Sequence, residues 1–286
     1  MAPPAHTPDQ PGTIMSAERL EELIDNPGTV IVDCRWYLDD PAGGRNAFRE
    51  GHIPGARYAS LDDDLSGPSG QGRHPLPTPV AFEDTCTSLG ISPTSVVVAY
   101  DDRGGAIAAR LWWMLVNQGH PGVYVLDGGI QAWIQRSGAI STENSPLARR
   151  SYPTRPWMRT VTRDQVRDRD PAIVVIDARS AERFRGDEEP IDSSAGHIPG
   201  ARSVPMTLNL NEDLTFRSSD ELQDSFASAG ITAGTHVMSH CGSGVTACHN
   251  ILAMAIAGMD DVDLYVGSWS DWSTAGYPVA TGEETI

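Results

Sequence analysis

Two observations predict an α/β fold built from two similar domains, each a mostly parallel sheet flanked by helices. Short apolar, β-branched runs alternate with helical stretches, as parallel sheets with covered faces require. The segment Gly51-His52-Ile53-Pro54-Gly55-Ala56-Arg57 also returns as Gly196-His197-Ile198-Pro199-Gly200-Ala201-Arg202, seven identical residues in the same order. Such an identity within one chain is the mark of a duplicated unit.

Residues 1–13 are rich in Pro and Ala and lack a basic start followed by an apolar core, so they are expected to be a disordered lead, not a signal peptide. The first domain is expected over 14–136. Its strands are Val30-Ile31-Val32-Asp33, Val96-Val97-Val98-Ala99-Tyr100 and Val123-Tyr124-Val125-Leu126, the last ending in Asp127-Gly128-Gly129. Ala106–Asn117 reads as a helix because Leu111, Trp112 and Leu115 share one face. Ser, Pro and Arg without apolar periodicity make 137–156 the expected linker. The second domain, 157–286, repeats the pattern with Ile173–Asp177, His236–His240, a helix over Ala247–Ala257, and Val262–Val266 followed by Gly267-Ser268.

Bulk properties limit the function. The 286 residues carry a net charge of −17, which offers no basic stripe to offset phosphates and speaks against nucleic acid. No apolar run approaches the ~20 residues of a membrane span. Four cysteines are too few for a disulfide scaffold, and a cytoplasmic setting with reduced thiols is expected. Neither zinc-ligand spacing nor a dinucleotide fingerprint occurs, so no metal and no cofactor is expected.

The chemistry concentrates at His240-Cys241-Gly242-Ser243-Gly244-Val245-Thr246-Ala247-Cys248. Cys241 follows an apolar strand and precedes a Gly-containing loop and a helix, where unpaired backbone N–H groups favour a thiolate. Gly242 and Gly244 allow those amides to wrap a charged sulfur or a bound anion. A Cys phosphatase would need an arginine six residues after the nucleophile, and that position is Ala247. In the first half, Tyr100-Asp101-Asp102-Arg103-Gly104-Gly105 stands where His240–Val245 stands in the second. Asp101 replaces the nucleophile, so the first domain is expected to be catalytically silent. His52 and His197 occur in both halves and are expected to be structural. Cys248 is expected to pack in the core, and Asp33 and Asp177 to bond neighbouring backbone amides.

The tandem repeat, the two His-Ile-Pro-Gly-Ala turns, Cys-Gly-Ser-Gly-Val-Thr at 241–246 and the closing Gly267-Ser268-Trp269-Ser270-Asp271-Trp272 together resemble the two-domain rhodaneses, or sulfurtransferases. The resemblance runs over roughly residues 15 to 280. It implies that Cys241 takes sulfur from a small anionic donor, holds it as a persulfide, and passes it to cyanide, a small thiol or a thioredoxin-like protein thiol. The loop residues Gly242, Gly244, Val245 and Thr246 would bind the substrate sulfur. The uncharged loop resembles that of mercaptopyruvate enzymes more than the basic loop of thiosulfate enzymes. Resemblance then assigns Ser243 and Asp62 to proton handling, His74 to the same cleft, and Arg183 to the donor carboxylate. A second arginine of that subfamily would fall within Glu189–Asp192, where this chain has Ile191. The loss of such a contact is worth roughly 1.5–3 kcal/mol, on the order of ten- to a hundredfold in affinity, with Arg185 as a substitute to consider. Thiosulfate as the main donor, and a persulfide carrier serving one protein partner, are the alternatives.

Overall fold

The computed structural model describes residues 13–68, 70–144 and 150–283. Most of the expected lead therefore lies outside the described residues. The chain divides into two compact units. One comprises the residues up to Asp64 together with Pro79–Pro156, and the other comprises Leu65–Thr78 together with the chain from Trp157. The stretch 65–78, which lies within the run expected to form the first domain, thus packs in the second unit. The described part of 137–156 belongs to the first unit: Ser141 exchanges backbone hydrogen bonds with His52, and Arg155 donates to Asn117 O.

The first unit holds five parallel strands: Ile14–Met15 (β1), Thr29–Asp33 (β2), Arg57–Tyr58 (β3), Val96–Tyr100 (β4) and Val123–Leu126 (β5). They lie in the order β1-β5-β4-β2-β3. The second unit repeats this with Thr160–Val161 (β6), Val174–Asp177 (β7), Ala201–Ser203 (β8), Val237–His240 (β9) and Val262–Tyr265 (β10), in the order β6-β10-β9-β7-β8. The all-parallel pairing explains the composition of the strands: β4 and β9 have neighbours on both edges, and four residues of each are buried.

The helix after the central strand covers the sheet in each unit, Ala108–Asn117 in the first and Thr246–Ile256 in the second. Both are buried on most of their circumference, including Trp112 and Trp113 in one and Ala247 through Met254 in the other. No helix among the described residues is long and apolar enough to cross a membrane. In such sheets, side chains for chemistry gather beyond the carboxyl ends of the strands, and β9 ends one residue before Cys241.

The repeated histidines are fully buried. His52 stacks on Phe48 at 3.9 Å and His197 on Phe184 at 3.8 Å, each with Nδ1 against the carbonyl of the residue it stacks on. They hold each turn to a helix and expose nothing for acid–base work.

Candidate active site

The candidate site is built from the second unit, from Leu65–Thr78 and the chain from Trp157. Cys241 is 2% exposed, and its sulfur accepts a hydrogen bond from Gly244 N at 3.1 Å. That bond requires the chain to double back within three residues, which Gly244 permits with φ of 77°. A Cβ at Gly244 would also stand 2.4 Å from Val266 O, so no side chain fits there.

The closing Gly267–Trp272 motif braces the loop from the far side. Cys241 N donates to Ser268 Oγ at 3.1 Å, Trp269 N donates to Cys241 O at 2.9 Å, and Ser270 N donates to Gly242 O at 2.9 Å. Ser268 holds φ of 54°, a left-handed conformation worth about 1–2 kcal/mol against a residue with a Cβ. In that conformation its hydroxyl bridges Cys241 N and Tyr265 O. Three hydrogen bonds on two successive loop residues fix the sulfur before any donor arrives, which is preorganisation in the sense that catalysis requires.

The strap Leu65–Thr78 supplies the next side chains. Its position is set by Trp157 Nε1 donating to Pro77 O at 2.7 Å, by Arg73 N donating to Ser270 Oγ at 3.1 Å, and by Gly72, where a Cβ would meet Gly267 O at 2.5 Å. His74 Nδ1 lies 2.9 Å from Ser243 Oγ. The serine hydroxyl is therefore engaged by an imidazole two residues along from the nucleophile. Asp62 is in the first unit, where its carboxylate accepts from Trp36 Nε1 at 2.8 Å.

Arg183 extends from the helix Ala181–Arg185, which Ser180 caps. Its Nη2 donates to Glu189 at 2.7 Å and to Asp192 at 3.2 Å. Behind it Arg179 pairs with Asp177 at 2.6 Å and with Glu189 at 3.1 Å, and stacks over the Trp269 ring at 4.7 Å. Burial pushes Glu189 up, but the arginine and amide hydrogen bonds outweigh it and hold the carboxylate below its ordinary value. Burial raises Asp192 despite the Arg73 and Arg183 guanidiniums beside it. His240 at the end of β9 is fully buried, which lowers its pKa and keeps it a neutral imidazole.

Thus the described fold brings together Cys241, Gly242, Ser243, Gly244, Val245, Thr246, His74 and Arg183. Val245 is buried and Thr246 opens the helix behind the loop. Ile191, in the position expected for a second arginine, is 37% exposed. Arg185 does not substitute for it, because it pairs with Asp187 at 2.7 Å and Glu283 at 3.3 Å on the surface. The cation missed from sequence is Arg73, which pairs with Asp192 and stands near Gly242. A signal was present in its place directly before His74. Arg179 was also missed, although Asp33-Cys34-Arg35 and Asp177-Ala178-Arg179 repeat an Asp-x-Arg pattern.

The description "Rhodanese-like domain" matches residues 16–136 and 162–275. The "Probable 3-mercaptopyruvate sulfurtransferase" of Pseudomonas aeruginosa is 40% identical over 281 residues, covering 94% of this chain and 98% of that protein. The thiosulfate sulfurtransferase of Gallus gallus is 32% identical over 270 residues, covering 91% and 92%. Among solved structures, the 3-mercaptopyruvate sulfurtransferase from Leishmania major superposes with a TM-score of 0.82 at 33% identity, covering 95% of this chain and 77% of that one. Two matched domains, near-complete coverage and a shared fold lead to one conclusion: the chain belongs to the rhodanese-like family and carries that domain twice.

Proposed function

We propose that the chain is a sulfurtransferase that moves sulfur from 3-mercaptopyruvate through a persulfide on Cys241 to a thiol or cyanide. The Cys241 thiolate attacks the donor sulfur. The C–S bond breaks, its electron pair leaves with pyruvate enolate, and a proton converts the enolate to pyruvate. The acceptor then attacks the outer sulfur and releases the Cys241 thiolate. Loop amides stabilise the charge on sulfur in both steps.

The observation that carries this reading comes from the first unit. There the equivalent loop already holds an anion: the Asp101 carboxylate accepts from Arg103 N, Gly105 N, Ile107 N and Ala108 N at 2.8–2.9 Å. A loop of this design grips charge at the end of the central strand, and in the second unit the group at that place is a thiol.

Proton delivery to the enolate falls to Ser243 with His74 behind it. Resemblance adds Asp62, and Asp62→Asn tests that assignment. Arg183 binds the donor carboxylate. Cys34, Cys86, Cys241 and Cys248 are all buried thiols, which supports a reducing, cytoplasmic setting in which a thioredoxin-like thiol is a suitable acceptor. The uncharged loop favours 3-mercaptopyruvate over the dianion thiosulfate, while relatives named for both donors occur.

The deciding experiment is kcat/KM for both donors on one preparation, with Cys241→Ser as blank. A tenfold or larger preference for 3-mercaptopyruvate is expected. A preference for thiosulfate overturns the donor assignment. Negligible turnover with both, but rapid discharge of a preloaded persulfide to one protein, makes the chain a carrier.

A further inference from the structure

Resting on that reading, we propose that Arg73 is a second donor-binding residue, which together with Arg183 forms a two-guanidinium seat for the donor carboxylate beside Cys241. A Cβ at Gly242, the residue after the nucleophile, would stand 2.8 Å from Arg73 Nη2 and 3.6 Å from both Arg183 Nη1 and Nη2. Two guanidiniums from distant parts of the sequence thus converge on the space where a Gly242 side chain would begin. Gly242 leaves the space between them and the sulfur's neighbour open.

The seat is built to take a carboxylate. Asp192 already bridges the two cations, with Oδ1 on Arg73 Nη1 and Oδ2 on Arg183 Nη2. Planar guanidiniums present paired donors that match the two oxygens of a carboxylate. The Arg73 side chain is 30% exposed and Arg183 is 15% exposed, against 6% for Asp192. Asp192 is thus the most buried of the three, and neither arginine side chain is closed off from solvent. Arg73 Nε is buried with no hydrogen-bond partner among the described residues, and its Nη2 points to the loop. The strap that carries Arg73 is anchored on Ser270 and Gly267, which belong to the motif bracing Cys241. Arg73, the loop and the nucleophile therefore share one frame.

The test compares Arg73→Gln and Arg73→Lys with the wild type. The expected result for Arg73→Gln is a tenfold or larger rise in KM for 3-mercaptopyruvate and in the inhibition constant of pyruvate, with kcat within threefold. Arg73→Lys, which keeps the charge and loses the fork, falls between. Discharge of a preformed persulfide by 2-mercaptoethanol, which carries no carboxylate, stays within twofold in both variants. An unchanged KM and pyruvate inhibition overturns the proposal. Persulfide discharge slowed in parallel with donor turnover also overturns it, since Arg73 then only shapes the loop. Wild type inactive on 3-mercaptopyruvate but active on thiosulfate is a failure of the donor assignment instead. Pyruvate inhibition, which reads the carboxylate seat without turnover of 3-mercaptopyruvate, then decides the role of Arg73: an inhibition constant unchanged in Arg73→Gln overturns it.

Discussion

The two units end their central strands in loops at equivalent places with different fillings. In the first, the carboxylate at the end of β4 satisfies four backbone amides by itself. In the second, among the described residues, Gly244 N reaches the sulfur that follows β9. The carbonyls at these positions are held alike, Asp101 O by Ile130 N at 3.0 Å and Cys241 O by Trp269 N at 2.9 Å. The scaffold is therefore indifferent to the residue it presents. The loops themselves share only Gly104 with Gly244, and in the first unit the Asp101 carboxylate takes the hydrogen bonds of the loop amides.

The largest expected effect breaks the comparison at the nucleophile. Cys241→Ser and Cys241→Asp should both reduce sulfur transfer by on the order of a thousandfold or more, while the aspartate variant folds with the loop closed on its own carboxylate. Assays with both donors, beside thermal melts, would check this. Activity near wild type in either variant removes Cys241 from the mechanism.

Next comes the loop of the first unit. Asp101→Ala leaves four inward-facing amides without their acceptor, and bonds to a buried carboxylate are worth roughly 1.5–3 kcal/mol each. A loss of about 3 kcal/mol or more in the unfolding of the first unit is expected, read by urea titration with segment-resolved hydrogen exchange. A change below about 1 kcal/mol would mean that the loop holds its shape without its anion.

A smaller effect concerns the residue before each loop. Tyr100 OH donates to Asp33 at 2.8 Å, whereas His240 Nε2 lies 3.7 Å from Asp177 without a hydrogen bond. Burial keeps His240 below its ordinary value. The unfolded chain takes up a proton below about pH 6.5 that the folded one refuses, so stability falls as pH drops through that range. Further into acid the units diverge. Burial raises Asp177, but the charge and hydrogen bonds of Arg179 outweigh it and depress it; for Asp33 burial wins and raises it. Protonation of Asp177 removes stability as pH falls through its folded value, while Asp33 contributes stability at low pH that is lost as pH rises. Exchange protection measured between pH 7 and 3 should therefore fail first in the second unit. His240→Gln should flatten the limb near pH 6, and equal sensitivity of both units would refute the assignment.

The smallest effect is at Cys248, whose Sγ donates to Gly244 O at 3.4 Å from within the helix. Cys248→Ser preserves that donor, so kcat/KM should stay within about threefold and stability within about 1 kcal/mol. A folded but inactive variant would make Cys248 part of the chemistry.

Much of this was legible without coordinates. Short continuous β-branched runs, the Gly-Gly and His-Ile-Pro-Gly turns and the repeat pointed to the sheets, because strand and turn signals are local. Cys241 was legible because a thiol between a strand and a Gly-containing loop is a local pattern as well. Asp33 and Asp177 do take the amides of Arg35 and Arg179, as their place at the strand ends suggested. The salt bridges of those arginines depend on side-chain direction and were not visible.

What the sequence by itself determined is the duplicated α/β architecture and the pairing of Cys241 in one half with Asp101 in the other. Each follows from short-range propensity or from direct comparison of residues. What only the tertiary structure decided is which charges meet at the loop. The strap Leu65–Thr78 lies about 170 residues before Cys241 yet packs in its unit, bringing Arg73 to Gly242 and His74 to Ser243. Electrostatic partnership depends on distance in space, and no periodicity or motif spacing encodes where a loop excursion lands.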